Sequence, residues 1–252
     1  MLFMMKAPHL QRKTARRLTL PILAAIAPLT LAAALGLAAC ENVASYSQPS
    51  LVRVIDASYI APAINVQVEG TLLATNIGQG TISSYGTLPA SGSAVIDVTA
   101  TTGGAGLATT SAALLAGHQH SVFLTDNSAA SGYVVTLLED QQDAAPSGHS
   151  TFRFLNQATK TGAVDIYMVP AGSTLATSLP LVKALAAGSA TLYVSFASQT
   201  VNLVVTPSGV TRAKYTSPSL ALTGGEVRTA LILDTQLTAN PPVNVFLADD
   251  VN

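Results

Sequence analysis

An internal duplication constrains the fold of this chain more than any other feature of its sequence. Residues 51–70, LVRVIDASYIAPAINVQVEG, align without a gap with residues 151–170, TFRFLNQATKTGAVDIYMVP. The alignment places Arg53 on Arg153, Ile64 on Val164 and Val66 on Ile166. A chain that repeats itself in this way is expected to fold as repeated units.

Two later segments extend the duplication to the end of the chain. LAGHQHSVFLTD (115–126) matches TGGEVRTALILD (223–234), and VVTLLED (134–140) matches VNVFLAD (243–249). Order and spacing persist, with about eight residues inserted into the second copy. We therefore predict two domains of about a hundred residues each.

Both copies carry the pattern of β-strands. LVRVIDA and TFRFLNQ alternate apolar and polar positions, as strands of a sheet with one buried face do. SAVIDVTA, HSVFLTD, VNLVVTP and TALILD are short, rich in β-branched residues and bounded by turn formers. LATTSAALLAG (107–117) has a helix-like spacing, but its Thr and Ser content and its Gly favour a strand and a turn. The spacing of the segments predicts an all-β protein of two tandem immunoglobulin-like β-sandwich domains.

The first forty residues predict export. Basic residues precede residue 18, and residues 18–39 form an uncharged run that ends in small side chains, the order found in secretory signal peptides. A run of this length could also be an uncleaved membrane anchor, although Pro21 and Pro28 disfavour one regular helix. The pair Arg16-Arg17 is also a feature of signals for twin-arginine export, but the residues around it lack the usual pattern of such signals.

The only cysteine of the chain, Cys40, ends the segment LAAC (37–40), which resembles the lipobox of bacterial lipoproteins. In such proteins the cysteine sulfur takes the lipid and the residue becomes the new N-terminus, while small residues such as Ala38 and Ala39 admit the peptidase. Two or more acyl chains give a stable membrane anchor. We therefore expect Cys40 to be a lipid attachment site, and Glu41 in place of Asp favours the outer membrane of a diderm cell.

These patterns divide the chain into five predicted segments. They are a lipoprotein signal peptide at 1–39, a tether at 40–50, a first sandwich at 51–140, a linker at 141–150 and a second sandwich at 151–252. Five of the twelve basic side chains precede residue 18 and all thirteen acidic ones follow residue 40, so residues 40–252 carry a net charge of −6. An acidic exported chain argues against a nucleic-acid partner.

The strands and turns together resemble the bacterial domain-of-unknown-function 4397 family. Its members begin with an Arg-containing strand and an Ala-Ser-Pro-rich turn, matched here by Ala57-Ser58 and Ala61-Pro62, and Asp165-Ile166-Tyr167 resembles its second strand. The second copy departs at the turn, where it has QATKTGA. The resemblance covers about residues 51–250 and implies a secreted or surface-anchored sandwich, often in tandem behind a lipobox, with no catalytic activity to carry over.

Two histidines are the candidate metal ligands. His118 and His120, in GHQH, would lie on one face of a strand and could bind zinc or copper. The second copy has Glu226 and Arg228 at these positions, which instead favours an exposed polar face. We therefore predict no metal and no cofactor.

The remaining charged residues favour structural roles. Five carboxylates lie singly, where turn and strand-end roles are expected: Asp56, Asp97, Asp126, Asp165 and Asp234. Arg53 and Arg153 could contact an anion, but a charge kept by duplication in an uncharged strand favours a structural pair with Asp56, Asp165 or a carbonyl.

These features predict a non-catalytic, lipid-anchored envelope protein. It would hold the membrane through its acyl chains and present sandwich loops to an unidentified envelope protein or glycan. The alternative is an enzyme, or an accessory subunit of one, acting on envelope polysaccharide or peptide. That alternative requires titratable groups such as Asp56, Asp165 and His118 to converge in one cleft.

Overall fold

The structure, a computed structural model, describes residues 48–127, 132–235 and 240–250. Within these ranges the chain is all-β: its regular elements are strands and one short 3-10 helix, Leu175–Thr177. No helix in the described ranges has the length and apolar character needed to cross a membrane. The predicted signal peptide, Cys40 and most of the predicted tether lie outside the described residues.

The first sandwich is built from two four-stranded sheets. One has the strand order β4-β1-β7-β8 and the other β3-β2-β5-β6. The strands are β1 (Ser50–Asp56), β2 (Ile64–Val68), β3 (Thr71–Ile77), β4 (Gly86–Leu88), β5 (Ser91–Ala100), β6 (Gly106–Leu114), β7 (Gln119–Asp126) and β8 (Tyr133–Asp140).

The second sandwich repeats this order in two five-stranded sheets. One follows β12-β9-β17-β18 with β13 also on β9, and the other follows β11-β10-β14-β15 with β16 also on β14. The strands are β9 (His149–Asn156), β10 (Val164–Pro170), β11 (Val182–Leu185), β12 (Ser189–Ala190), β13 (Val194–Ala197), β14 (Thr200–Pro207), β15 (Tyr215–Thr216), β16 (Leu220–Ala221), β17 (Val227–Asp234) and β18 (Val243–Asp249).

Strand pairing shows that the two copies are equivalent. The first strand of each copy pairs in parallel with the second-to-last strand of that copy, since Arg53 lies beside Ser121 and Arg153 beside Thr229. The inserted residues lie between β10 and β11, where the first copy has only the turn between β2 and β3. The predicted all-β sandwich fold is confirmed, and so is the strand predicted in LATTSAALLAG, which is β6.

Each sandwich has its own apolar core. Val52, Ile64 and Ile96 are fully buried in the first, and Phe152, Ile166 and Ile232 are fully buried in the second. Alternating residues of β1 and β9 supply these cores, as the period-two pattern predicts.

A third apolar cluster lies between the sandwiches. Seven buried residues from both copies form it: Ile55, Ala57, Phe123, Leu155, Leu231, Leu233 and Ala248. As a result β9 is buried at every position after His149, on both faces of its sheet. The prediction of one buried face was therefore wrong for the central strands, because their outer face packs against the other copy. The described residues accordingly belong to one compact unit.

Candidate functional site

Four buried charged residues from both copies meet between the sandwiches, and we call them the interface cluster: Arg53, Asp140, Arg153 and Asp250. Each arginine projects from the first strand of its copy, and each aspartate lies at the end of the last strand of its copy or just after it. Each side chain is 5% exposed or less. Charges this deeply buried require partners in close contact.

Arg53 of the first copy binds the end of the second copy. Its Nη1 donates to the Asp249 carbonyl at 2.7 Å, and its Nη2 donates to Asp250 Oδ1. Its Nε donates to Ser121 Oγ at 2.7 Å, on the neighbouring strand of its own sheet. All three guanidinium nitrogens are therefore engaged.

Arg153 makes the equivalent contacts in the opposite direction. Its Nη1 donates to the Glu139 carbonyl at 2.8 Å, and its Nη2 donates to Asp140 Oδ1 at 2.5 Å. Its Nε donates to Thr229 Oγ1 at 3.1 Å. The cluster thus has an approximate twofold relation, in which each copy holds the carboxylate of the other.

A tyrosine covers each arginine. The guanidinium carbon of Arg53 lies 4.9 Å from the centre of the Tyr85 ring, and that of Arg153 lies 4.9 Å from the Tyr193 ring. The Tyr85 hydroxyl donates to Asp140 Oδ2 at 2.7 Å, and the Tyr193 hydroxyl donates to Asp250 Oδ2 at 2.8 Å. Ring and hydroxyl together enclose the ion pairs.

The electrostatics of the cluster fix its protonation state. Burial alone would lower the pKa of Arg53, but the carboxylates of Asp140 and Asp250 raise it. Burial, together with the negative charge of Asp140, raises the pKa of Tyr85, so its hydroxyl stays protonated as a donor. Burial raises the pKa of Asp250, and the positive charges of Arg53 and Arg153 act against this rise. The formal charges of the two arginines and the two aspartates balance, which suits the cluster to joining the sandwiches.

The structural role predicted for Arg53 and Arg153 is confirmed, but the predicted carboxylate partners, Asp56 and Asp165, were wrong. The partners lie in the segments LED (138–140) and ADD (248–250), at equivalent ends of the two copies. The matching contacts to Glu139 and Asp249 also show that Asp140 corresponds to Asp250. The sequence alignment had placed Asp140 on Asp249, so the structural alignment of the last strands is shifted from it by one residue.

His118 and His120 occupy different environments. His118 lies in the turn before β7, is partly exposed and has its Nδ1 2.5 Å from Glu139 Oε1. His120 lies within β7, is 2% exposed and has its Nδ1 3.0 Å from Ser50 Oγ. The prediction that His120 lies on an exposed polar face was therefore wrong, because β7 is covered on both sides. Burial lowers the pKa of His120.

Candidate metal ligands do not converge in the part of the chain that the structure describes. No group of three or more His, Cys, Asp or Glu side chains in these ranges is arranged to hold a metal ion. Cys40 lies outside the described residues, so its lipidation stays a prediction.

Asp126 and Asp234 are equivalent strand-end residues that fix the loop after the first strand of each copy. Asp126 accepts from the Tyr59 backbone N–H at 2.9 Å, and Asp234 accepts from the Lys160 backbone N–H at 2.6 Å. Asp97, on β5, accepts from Thr109 Oγ1 at 2.8 Å. The contacts of Asp126 and Asp234 agree with the predicted strand-end role, but that role was wrong for Asp97, which lies inside β5 and pairs with Thr109 on the neighbouring strand.

Asp165 fixes two neighbouring segments of the second copy. It accepts from the backbone N–H groups of Ala184 at 2.7 Å and Gly209 at 2.9 Å. Burial alone would raise the pKa of Asp165, but these N–H groups and the nearby Lys183 hold it below its usual value. The carboxylate is therefore ionised and structural.

Asp56 is the one carboxylate in this set with a raised pKa. It is fully buried at the end of β1, where Oδ1 accepts from the Ser58 backbone N–H at 3.0 Å. Its Oδ2 is buried and has no hydrogen-bond partner among the described residues. Burial raises the pKa of Asp56 to about 7.

Asp56, Asp165 and His118 do not form a common site. Because β1 and β7 are parallel, Asp56 at the end of β1 lies six positions, or about 20 Å, along the sheet from His118, which precedes β7. Asp165 belongs to the other sandwich. These three groups therefore lack the convergence that an acid–base site requires.

A cavity of about 310 Å³ opens beside the interface cluster. Its lining comes from both copies, with Ser83, Ser84 and Tyr85 on one side, Leu247–Asp249 on the other and Arg53 at its base. Three of the five N–H groups of Arg53 already donate to protein oxygens, and its side chain is only 3% exposed, so this guanidinium is poorly accessible to a ligand.

Comparison with known families identifies part of the chain. The model for the domain of unknown function DUF4397 matches residues 50–167, a range that covers the first sandwich and continues into β10 of the second. No curated protein matches the chain. The match agrees, over residues 50–167, with the resemblance to the DUF4397 family seen in the sequence.

Proposed function

We propose that this protein is a lipid-anchored cell-envelope protein that presents a joined pair of β-sandwiches to an envelope partner and does no chemistry itself. The segment LAAC, with Cys40 after an uncharged run, is the observation that carries the proposal. Acyl chains on Cys40 would hold the chain at a bilayer, with the outer membrane favoured if the cell is diderm.

The position of the first strand supports a tethered arrangement. Ser50, where β1 begins, is ten positions after Cys40, and a chain of that length reaches at most about 35 Å. The sandwiches would therefore remain near the membrane surface, with their loops available to other envelope components.

The interface cluster supports a binding or structural role. It uses buried charges to join two sandwiches, and a joined pair offers loops in fixed relative positions. Binding residues commonly lie on loops held by a rigid scaffold.

The intact mass of the protein purified from membranes tests the proposal. We expect the mass of residues 40–252 plus acyl chains, and we expect a Cys40→Ser variant to lose both the acyl mass and its membrane association. An Ala44→Ser variant, which keeps the cysteine, is the control and should behave like the wild type. An unmodified chain that retains residues 1–39 would indicate a signal anchor, and an unacylated soluble chain would indicate free secretion; either result would contradict the proposal.

A further inference from the structure

Among the described residues, the basic side chains that form no close ion pair lie at one end of the second sandwich. Residues 40–252 contain seven arginines and lysines. Arg53 and Arg153 are paired in the interface cluster, and Arg228 pairs with Asp249 at 2.8 Å. The other four form no ion pair within 4 Å with the described residues: Lys160, Lys183, Arg212 and Lys214. The charge of Lys183 nevertheless acts on the nearby Asp165.

Backbone topology brings these four residues to one end of the second sandwich. Lys160 lies in the loop between β9 and β10, and its backbone N–H donates to Asp234 at the end of β17. The Asp165 carboxylate accepts from Ala184, next to Lys183, and from Gly209, in the loop that carries Arg212. Strands β10 and β14 are antiparallel with Val164 beside Pro207, so both loops leave the sheet at the same end.

Lys214 connects this end to the segment that precedes β18. Its Nζ donates to the Pro241 carbonyl at 2.9 Å and to Asn240 Oδ1. An ammonium group has three N–H donors, and these two contacts leave one for a ligand. Both acceptors are neutral, so the positive charge is not compensated. We call Lys160, Lys183, Arg212 and Lys214 the cationic end.

The first copy has no charge at the equivalent positions. Strand pairing places Lys160 on Ile60 and Lys183 on Thr75. In the next strand pair, Val205–Tyr215 of the second copy is equivalent to Val98–Ala108 of the first. Arg212 and Lys214 therefore correspond to Ala105 and Leu107. The scaffold therefore folds without these cations, and their presence in one copy points to a purpose other than folding.

The carboxylates of this end face inward. Asp165 and Asp234 are 3% and 4% exposed and accept hydrogen bonds from backbone N–H groups. Lys160, Lys183 and Arg212 are exposed. An exposed positive surface on a chain that is acidic overall attracts anions to this location.

A cavity of about 360 Å³ lies at the cationic end. Prolines and short apolar side chains form much of its wall, and Arg212, Lys214 and Asn240 supply its polar groups. The volume lies within the range of small-ligand pockets. Proline rings give the wall a fixed shape, because their φ angle is locked.

We propose that the cationic end binds an acidic polysaccharide, with one sugar ring in the cavity and its carboxylate on Arg212 and Lys214. Lys160 and Lys183 would contact further acidic groups along the chain. This proposal deepens, and rests on, the envelope-binding function proposed above. A guanidinium matches the two oxygens of a carboxylate, and Lys214 is held in place as a second donor.

The shape and composition of this end favour a polysaccharide over a membrane surface. A cavity accepts a single ring, whereas membrane-binding surfaces bury large apolar or aromatic side chains. Val210 is the large apolar side chain exposed among the described residues of the cavity wall. A membrane surface is therefore the alternative that the experiment must separate.

Calorimetry on the full-length protein in detergent, with oligogalacturonate as the probe, tests the inference. We expect binding that weakens with added salt and that a Lys160→Gln/Arg212→Gln variant reduces on the order of tenfold or more, since charge-assisted hydrogen bonds are lost. A Ser111→Glu/Ala113→Glu variant is the control, because it changes the net charge equally at exposed positions of the first sandwich. It should keep most of the affinity.

Neutral maltooligosaccharides and vesicles of phosphatidylcholine with phosphatidylglycerol are the comparison probes. The inference would be overturned if oligogalacturonate did not bind, or if both variants lost the same affinity for it. It would also be overturned if only the vesicles bound and that binding required Lys160 and Arg212. The intact mass at Cys40 is measured separately, so a failure here is distinguishable from a failure of the proposed membrane tether.

Discussion

Arg53 and Asp250 form a buried ion pair between residues 197 positions apart, and Arg153 and Asp140 form its counterpart in the opposite direction. Each arginine donates directly to the carboxylate of the other copy, while the carboxylate of its own copy lies farther away for Arg53, whose Nε is 3.7 Å from Asp140 Oδ2. The two copies are therefore electrostatically dependent on each other.

Replacing Asp250 with Asn should strongly destabilise the protein. Arg53 would stay buried but lose its closest anionic partner, leaving Asp140 Oδ2 at 3.7 Å from its Nε, and breaking a buried pair in this way costs about 3–5 kcal/mol. Urea unfolding measures the loss. The control is Asp249→Asn, whose carboxylate side chain is 69% exposed and pairs only with Arg228; its loss should cost about 1 kcal/mol or less. Equal effects of the two variants would contradict the buried pair.

Replacing Gly80 with Ala should disturb the contact between the sandwiches. Gly80 has φ +69°, and an added Cβ would lie 2.5 Å from the Phe246 ring of the second copy. Gly70 has φ +72° but nothing within 4 Å of its added Cβ, so Gly70→Ala carries the backbone strain alone. We expect Gly80→Ala to lower the free energy of unfolding by about 1–3 kcal/mol more than Gly70→Ala. Thermal or urea unfolding of both variants checks the difference, and equal losses would show that Phe246 moves aside freely.

Replacing Asp56 with Asn should stabilise the protein at neutral and alkaline pH. Burial raises the pKa of Asp56 from 3.8 to about 7, so the folded state binds more protons than the unfolded state between these values. Stability should therefore fall as pH rises from about 4 to 7 and then level off. Asn156, at the equivalent position, donates to the Gly162 and Leu185 carbonyls at 2.9 Å, which shows that an amide suits this site.

The Asp56→Asn variant should lack this pH-dependent loss. Its advantage over the wild type should grow between pH 4 and pH 7 and reach on the order of 4 kcal/mol, measured by urea unfolding across that range. Asp143→Asn, at an exposed position of the connection between the sandwiches, is the control and should show no such growth. A constant difference at all pH values would mean that Asp56 is ionised throughout.

Replacing Tyr85 with Phe should cost about 1–2 kcal/mol, since the variant keeps the ring over Arg53 but leaves Asp140 Oδ2 with one donor fewer. Urea unfolding gives the value. Tyr59→Phe is a matched control, because its hydroxyl makes no hydrogen bond with the described residues. If both variants were equally stable, the Tyr85 hydroxyl would contribute nothing to the cluster.

The sequence by itself determined the secondary structure and the repeat. Period-two alternation and β-branched residues predicted β1, β7, β9 and β17, and the gap-free alignment showed that Arg53 and Arg153 are equivalent. These are local signals, because a strand's own residues decide which side chains share a face.

Only the tertiary structure decided how the repeats meet. Alternation indicates that one face of a strand is buried, but it does not reveal that a second sandwich covers the other face, as it does for β9 and for His120. It also cannot select partners for Arg53, since Asp250 becomes its neighbour only when two complete sandwiches pack together.

The same reason explains why the candidate binding end was not visible in the sequence. Lys160, Lys183, Arg212 and Lys214 are spread over 55 positions of the chain and follow no motif. They become one surface because antiparallel strands return their loops to the same end of a sheet. Local chemistry thus determined the strands and their duplication, whereas long-range packing decided which charges are buried together and which are left exposed.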